Sequence, residues 1–363
     1  MTVSLPYGRG SVLVFFHELH QPARVSERRI LKNSTKMQFL IAGAGAIGGY
    51  LGARLAQAGA DVTLFARGPH LKAMQERGLR VLSAEGDFTV HPTTVGDLEQ
   101  VAHADVIFLG VKAHGLTQIA PQLKHLIGDG TTVVSTQNGI PWWYFQDLPT
   151  LAKNEFTGLH LERVDPGSVI AASIPAERVA ASIAYFATEI AEPGVIRHNE
   201  GNRLSLGEPD GTRSDRCKAI SEALIKAGIR CPVTQKIRTE IWVKVLGNVA
   251  FNPLSALTRA TLVQMARDSE IEPVVRNIMT EVEAVAAKMG IAMPVSIDQR
   301  IEGAAKVGEH KTSMLQDLEA GRPLELEAVV GAVVELGARV GVPMPFTRTV
   351  YACTRLLGKI SNP

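Results

Sequence analysis

The first clear pattern along the chain is a change between short apolar runs and helical periodicity. An apolar run from Gln38 to Ala42 is followed by a glycine-rich turn over Gly43 to Gly49, a helical segment from Tyr50 to Ala58, and a second apolar run from Asp61 to Ala66. Short apolar runs bounded by glycine predict buried strands, and the stretch between them predicts a helix. The order therefore predicts a strand, helix, strand unit.

Further runs continue this pattern. Val106 to Val111 and Thr132 to Thr136 are predicted strands separated by a helical stretch, which is typical of a parallel, doubly wound sheet. Gly78 to Ser83 and Phe88 to His91 predict a small hairpin around Gly86. We therefore expect an α/β fold whose N-terminal part is a Rossmann-type, doubly wound parallel sheet.

Strand-like runs stop at about Lys236, and amphipathic helical periodicity continues to the end of the chain. One predicted helix covers Pro273 to Met289, with Gly290 as its stop, and another covers Glu325 to Val340. The predicted organisation is a sheet domain over residues 37–235 and an all-helical domain over residues 236–363.

Composition and charge exclude several classes of protein. The 363 residues are 45% hydrophobic and 20% charged, which is the ordinary globular range. The net charge of +2 lacks the basic excess of a nucleic-acid-binding protein, and no apolar run is long enough to span a bilayer. We expect neither a nucleic-acid nor a membrane partner, and the histidines show no paired spacing that predicts a metal site.

The first 36 residues differ from the rest. They hold six Lys or Arg against two Glu, a net +4, and they lack strand or helix periodicity from Arg24 onward. Met37 directly precedes the first predicted strand, so we expect translation to start there and residues 1–36 to be a disordered or non-native extension. Three cysteines without metal or redox spacing, Cys217, Cys231 and Cys353, predict a reduced, cytoplasmic protein.

A glycine-rich loop lies between the first predicted strand and helix. It fits the pattern G-x-G-x-x-G with Gly43, Ala44, Gly45, Ala46, Ile47 and Gly48. In this pattern the first glycine permits a tight turn, the second lets a pyrophosphate approach the backbone, and the third lets the helix pack closely on the strand. The helix N-terminus also attracts phosphate, so the loop predicts a dinucleotide site rather than a turn that only packs.

Arg67 indicates which dinucleotide binds. It follows the second strand, where sites for NAD place a carboxylate on the ribose 2′-hydroxyl. A cation at that point attracts a 2′-phosphate, so we predict NADPH as the cofactor. The alternative is a solvated surface arginine.

The helical part carries a polar stripe. Lys244, Asn248 and Asn252 are spaced four residues apart, which places them on one helical face, and apolar residues flank them. Such a stripe lines a cleft, or else the lysine is an exposed charge and the asparagine before Pro253 a helix end. A lysine in a partly dry cleft has a lowered pKa and can donate a proton.

At this point the sequence resembles the 2-dehydropantoate 2-reductases (ketopantoate reductases) across essentially all of residues 37 to 363. The matching motifs, in order, are the glycine loop, Val111-Lys112-Ala113, Gln137-Asn138-Gly139, Lys244 to Pro253, and Ser313-Met314-Leu315-Gln316-Asp317 followed by Glu325. The resemblance implies a 6-phosphogluconate-dehydrogenase-like fold. It also implies that NADPH gives hydride to the 2-keto carbon of ketopantoate, forming (R)-pantoate for pantothenate and coenzyme A synthesis.

The resemblance also implies roles for individual residues. Lys244 resembles the family's proton donor, and Glu325 its acid near the cofactor, orienting the lysine or the ribose. Asn248, Asn252 and Ser313 resemble its substrate-holding residues, and Lys112 and Asn138 lie near the nicotinamide in the family. Simpler structural roles stay open at this stage: Glu325 as a first-turn carboxylate, Ser313 as a helix cap, Lys112 as an exposed charge, and Asn138-Gly139 as a turn.

The sequence departs from the family pattern after Gly139, where Ile140-Pro-Trp142-Trp143-Tyr144-Phe145 and an extra stretch to about Ala180 follow. These aromatics predict either an apolar wall at the mouth of the active site or packing of the inserted loop onto the sheet. The first case favours an NADPH-dependent reductase of another bulky or branched 2-keto acid. A non-catalytic NADP(H)-binding sensor is a third possibility, and a homodimer is compatible with the apolar helices.

Overall fold

The computed structural model describes residues 36–146 and 154–361. The strands are β1 Gln38–Ala42, β2 Asp61–Phe65, β3 Leu79–Ser83, β4 Phe88–Val90, β5 Thr93–Val95, β6 Val106–Leu109, β7 Thr132–Ser135, β8 Val179–Glu192 and β9 Val195–Gly207. The α-helices are α1 Ala46–Gln57, α2 Gly68–Arg77, α3 Leu116–Leu123, α4 Asp215–Lys226, α5 Ile237–Thr258, α6 Leu262–Arg267, α7 Ile271–Lys288, α8 Ile297–Val307, α9 Ser313–Glu319, α10 Ala332–Arg339 and α11 Pro345–Ser361.

The nine strands form one sheet in the order β4-β3-β9-β8-β7-β6-β1-β2-β5. Its centre is parallel: β1 pairs with β2 and β6, and β6 pairs with β7. These central strands are almost entirely buried because helices cover the sheet, which explains their continuous apolar runs. The chain order reverses beside β1, so the carboxyl ends of β1 and β6 open at the point where α/β sheets bind ligands.

The N-terminal prediction is confirmed in its fold class and corrected in its sheet. The predicted strands and the hairpin of β3 and β4 are present. However, β8 and β9 pair antiparallel, so the sheet is mixed rather than wholly parallel. Their run of alanine, polar and charged residues lacks the apolar, β-branched signature used to find the other strands. Exposed positions are concentrated in the C-terminal part of β8 and the N-terminal half of β9, which dilutes the pattern there.

Beyond residue 236 the described chain consists of helices, as predicted. α7 matches the predicted helix to within two residues at its start. The helix predicted over Glu325 to Val340 is present, but it is not a regular α-helix throughout. Its first part, Glu327–Gly331, is a π-helical turn that continues into α10. A Cβ on Gly139 would lie 2.1 Å from the Ala328 carbonyl oxygen, so the loop after β7 packs directly against this turn.

Two predictions about chain organisation stay predictions. The proposed boundary between residues 235 and 236 falls between α4 and α5. The extension predicted for residues 1–36 lies outside the described residues, apart from Lys36. No helix in the described parts of the chain is long and apolar enough to cross a membrane.

Candidate active site

The glycine loop connects β1 to α1, and two of its glycines are fixed by packing. Gly43 has φ +110°, and a Cβ there would lie 2.5 Å from Val111 Cγ1. A Cβ on Gly48 would lie 2.2 Å from the Gly43 carbonyl oxygen. Both positions therefore exclude any side chain on steric grounds.

Gly45 has no such internal reason to be glycine. Its φ of −71° suits any residue, and the nearest atom to an added Cβ is the Gly110 carbonyl oxygen at 3.8 Å. The space over Gly45 is open, and Ala46 and Ile47 begin α1 directly beside it. An open backbone at a helix N-terminus is the surface that a pyrophosphate requires, so these residues fit a dinucleotide.

A pocket of about 250 Å³ adjoins this loop and extends to the end of β2. Gly43, Ala44, Gly45 and Arg67 line it, which brings together four of the predicted cofactor residues. Arg67 precedes α2, is exposed, and has its guanidinium carbon 5.3 Å from the centre of the Phe65 ring. The side chain is therefore held at the pocket mouth with its charge available to a ligand.

His70 and Gln118 line the same pocket and were not predicted. His70 Nδ1 accepts a hydrogen bond from the Gly194 backbone N–H at 3.0 Å, and the ring also interacts with the backbone of Ala44, which lines the same pocket. Burial lowers the pKa of His70, so the neutral ring carries its proton on Nε2. A lone histidine and a lone glutamine carry no sequence signal; only the packing of α2 and α3 reveals them.

Lys244 projects from α5, a helix whose other faces are buried by residues such as Ile241, Trp242 and Val245. Its ammonium donates a hydrogen bond to the Ala184 carbonyl oxygen on β8 at 2.9 Å. The side chain thus connects the helical region to β8 of the sheet.

The electrostatic surroundings of Lys244 make it a better proton donor than an exposed lysine. Burial lowers its pKa most, the carboxylate of Glu325 partly opposes this, and the nearby positive charge of Arg300 lowers the pKa as well, so that it comes to about 8. The expectation of a lowered pKa is confirmed. A lysine with this pKa is mostly protonated at neutral pH and half-protonated at about pH 8, so it gives up a proton more readily than an ordinary lysine.

A second, small pocket joins Lys244 to the loop after β7. It is lined by Ser135, Gln137, Asn138, Gly139, Pro141, Trp143, Ser182, Ile183, Ile241, Lys244 and Val245. Asn138 and Lys244, predicted from motifs more than 100 residues apart, therefore line one pocket. Gln137, also in the lining, donates hydrogen bonds to the Leu109 and Val111 carbonyl oxygens at 2.7 and 3.0 Å, which connect this loop to the end of β6.

The remaining predicted substrate residues lie further along the helical region. Asn248 and Asn252 continue the Lys244 face of α5, and neither amide has a hydrogen-bond partner within residues 36–146 and 154–361. Ser313 is exposed at the first position of α9. The cap of that helix is Thr312, whose hydroxyl accepts from the Leu315 N–H, so the alternative that Ser313 is the cap is wrong.

Lys112 and Glu325 both connect the sheet to the helical region. Lys112 forms an ion pair with the buried carboxylate of Asp317, which also accepts from Arg322 Nε at 3.0 Å. Glu325 accepts a hydrogen bond from the Ala113 backbone N–H at 3.0 Å. Glu325 precedes its helix and bonds across the cleft, which disfavours the reading of it as a simple first-turn carboxylate.

The aromatic segment packs inward. Trp142, Trp143, Tyr144 and Phe145 are all buried in the core shared with α5, and Trp143 Nε1 donates to Ser135 Oγ at 3.0 Å. The Tyr144 hydroxyl accepts from Trp242 Nε1, also at 3.0 Å. These contacts support packing of the loop onto the sheet, yet Trp143 also lines the pocket that contains Lys244.

Two family models match the chain. The model described as ketopantoate reductase PanE/ApbA matches residues 39–211, and its C-terminal counterpart matches residues 236–358. The chain belongs to the ketopantoate reductase family. As a member it is an oxidoreductase, and the resemblance stated from the motifs is confirmed.

Individual relatives agree with the assignment. A 2-dehydropantoate 2-reductase of Mesorhizobium japonicum is 46% identical over 88% of this chain and 98% of its own length. The structure of 2-dehydropantoate 2-reductase from Methylococcus capsulatus is similar with a TM-score of 0.75 and 31% identity, covering 90% of this chain and 98% of the other. A D-mandelate dehydrogenase structure with NADH and anilino(oxo)acetate shares the fold, with a TM-score of 0.78, 21% identity and coverage of 90% and 100%.

Proposed function

We propose that this ketopantoate reductase family member reduces 2-dehydropantoate to (R)-pantoate, the precursor of pantothenate and coenzyme A, with NADPH. The observation that carries the proposal is the pocket in which Asn138, at the carboxyl end of the sheet, lies with Lys244, whose pKa is about 8. A hydride acceptor and a proton donor must meet at such a place in a carbonyl reductase.

The choice of NADPH rests on charge and space. The glycine loop over Gly43 to Gly48 would hold the pyrophosphate, and Arg67 would bind a 2′-phosphate through charge-assisted hydrogen bonds. Lys112 and Asn138 would lie on the nicotinamide side. When bound, the cofactor supplies the hydride for the 2-keto carbon.

The chain's own residues complete the reaction. As the 2-keto carbon accepts hydride, negative charge grows on the keto oxygen, and the Lys244 ammonium is stabilising there because the charge is largest in the transition state. Lys244 Nζ then transfers its proton to that oxygen, which becomes the 2-hydroxyl group. Glu325 positions the lysine by its charge, and Asn248, Asn252 and Ser313 bind the substrate's polar groups.

A second candidate function is reduction of a bulkier 2-keto acid. Pro141, Trp143, Ile183 and Ile241 give the pocket of Lys244 an apolar lining. Such a lining favours apolar substituents on the substrate and contributes to specificity without changing the chemistry.

The test is NADPH consumption at 340 nm by the purified full-length protein, with ketopantoate and a panel of bulkier and aromatic 2-keto acids. We expect the highest kcat/KM with ketopantoate and NADPH. Higher kcat/KM with a bulky acid would reassign the substrate and keep the mechanism. Tight NADPH binding without turnover of any 2-keto acid would contradict the proposal and favour a sensor.

A further inference from the structure

Helix α8 places an arginine directly on the face of α5 that carries Lys244. A Cβ on Gly247 would lie 2.1 Å from Arg300 Nη2, 2.7 Å from Cζ and 2.8 Å from Nε. The guanidinium therefore contacts the α5 backbone at Gly247. A glycine inside a helix costs about 1 kcal/mol relative to alanine, and here the space it leaves is filled by Arg300.

Arg300 has no anionic partner in the parts of the chain that the structure describes. Its Nε is buried without a hydrogen-bond acceptor, and burial lowers the pKa of the guanidinium. Arg203, in contrast, lies on the nearby Tyr185 ring and forms an ion pair with Glu240 at 3.2 Å. It also donates a hydrogen bond to the Ser205 hydroxyl. A desolvated cation without a counter-charge is unfavourable unless a ligand supplies one.

Position along α5 relates this charge to the proposed chemistry. Gly247 is three residues after Lys244 and immediately before Asn248, so all three share one helical face within a single turn. The positive charge of Arg300 also acts on Lys244. In a 2-keto acid the carboxylate carbon is bonded to the keto carbon, so a carboxylate-binding cation must lie close to the group that protonates the keto oxygen.

We propose that the Arg300 guanidinium, lying on Gly247, binds the substrate carboxylate. This inference rests on the proposed function and names the group that selects the 2-keto acid class. The planar fork of arginine matches a carboxylate with two parallel hydrogen bonds, which a lysine ammonium cannot reproduce. The neutral amides of Asn248 and Asn252 then serve the substrate's hydroxyl end.

The experiment compares a 2-keto acid with its primary amide, which keeps the keto group and lacks the negative charge. For Arg300→Gln, assayed at pH 6.5, where Lys244 is protonated with or without the neighbouring charge, we expect KM for the acid to rise about 10- to 100-fold, with KM for the amide and the Kd of NADPH unchanged. Arg300→Lys should recover part of the loss. Gly247→Ala, which retains the charge but displaces the guanidinium, should also raise KM for the acid and provides a second test if Arg300→Gln does not fold.

The matched control is Arg267→Gln, which removes an exposed arginine that pairs with Glu302 of the same helix α8. It should leave both substrates unaffected. Equal losses on acid and amide in Arg300→Gln, or no loss at all, would overturn the carboxylate assignment while the reductase function stands. Failure of the wild-type protein to reduce any 2-keto acid would overturn the proposed function and this assignment with it.

Discussion

At the scale of single residues, the central feature is the lowered pKa of Lys244. In the proposed mechanism reduction requires the protonated amine, so kcat/KM for reduction should fall as pH rises through about 8, and kcat/KM for oxidation of pantoate should rise over the same range. Steady-state rates at saturating NADPH between pH 6 and 10 measure this. A reduction rate that stays flat up to pH 10 would contradict the assignment, because an ordinary lysine remains protonated there.

Arg67 determines the cofactor preference in this account. Arg67→Ala should raise KM for NADPH about 10- to 100-fold and leave KM for NADH nearly unchanged, because only NADPH carries the 2′-phosphate. Kinetics with both cofactors give the ratio. Replacement of the exposed Arg77, at the other end of helix α2, serves as the control, and an unaltered NADPH to NADH ratio in Arg67→Ala would leave Arg67 as a surface charge.

Several site residues could be predicted one by one, and others could not. The spacing of Lys244, Asn248 and Asn252 on a helix, and the loop of glycines, are local patterns, so sequence suffices to find them. His70 and Arg300 reach their sites only because separate helices pack there. The functional signal is the place in the pocket lining for His70 and an unpartnered buried polar atom for Arg300, and no spacing within the chain can encode either.

At the scale of elements, different glycines of the loop between β1 and α1 serve packing and cofactor binding. Gly45→Ala should leave the melting temperature unchanged and raise the Kd of NADPH at least about tenfold, because the added methyl meets only ligand space. Gly48→Ala should destabilise the fold by about 1 to 3 kcal/mol, since its Cβ meets the backbone oxygen of Gly43. Thermal unfolding and NADPH fluorescence titration distinguish the two.

Loss of stability rather than of NADPH affinity in Gly45→Ala would refute the reading of this loop. Equal effects on affinity in both variants, with folding retained, would also refute it.

The contact of the loop after β6 with α9 is the second element-scale feature. Asp317 is buried and pairs with Lys112 and Arg322, so Asp317→Asn should lower the free energy of unfolding by about 2 kcal/mol. Chemical denaturation measures this. Glu319 lies on the same helix as Asp317 and forms an exposed ion pair with Lys311. Glu319→Gln removes this pair and should change the free energy of unfolding by less than about 1 kcal/mol. Equal effects of the two variants would contradict a structural role for Asp317.

Element prediction succeeded where the environment is simple. β1, β6 and β7 are buried on both faces and read as continuous apolar runs. In contrast, β8 and β9 carry exposed charged residues near the turn that joins them. Their pairing with each other, with β3 and with β7 depends on tertiary contacts. The π-helical turn at Glu327–Gly331 likewise contacts Gly139, which lies far away in sequence.

At the scale of the whole molecule, the candidate site is built where the sheet meets the helical region. Three contacts define it: Lys112 with Asp317, the Ala113 N–H with Glu325, and Lys244 with the Ala184 carbonyl. Motif order in the sequence predicted which segments contribute, but not that these particular groups bond across the cleft. The homodimer and the domain boundary at residue 236 stay predictions.

The burial that lowers the pKa of Lys244 also affects stability. Below about pH 8 the folded state must hold a partly desolvated ammonium. Between about 8 and its ordinary value of 10.5 the unfolded state binds more protons, so this residue's contribution to stability improves as pH rises. An uncharged side chain of similar length therefore should not weaken the fold at pH 7.

The most direct measurement is NADPH oxidation with ketopantoate by the wild-type protein and by Lys244→Met, with NADPH affinity and melting temperature recorded on the same samples. We predict a loss of kcat of about 10²- to 10⁴-fold in the variant, with NADPH affinity within about twofold and a melting temperature at pH 7 no lower than that of the wild type. Wild-type turnover by Lys244→Met would contradict its role as proton donor.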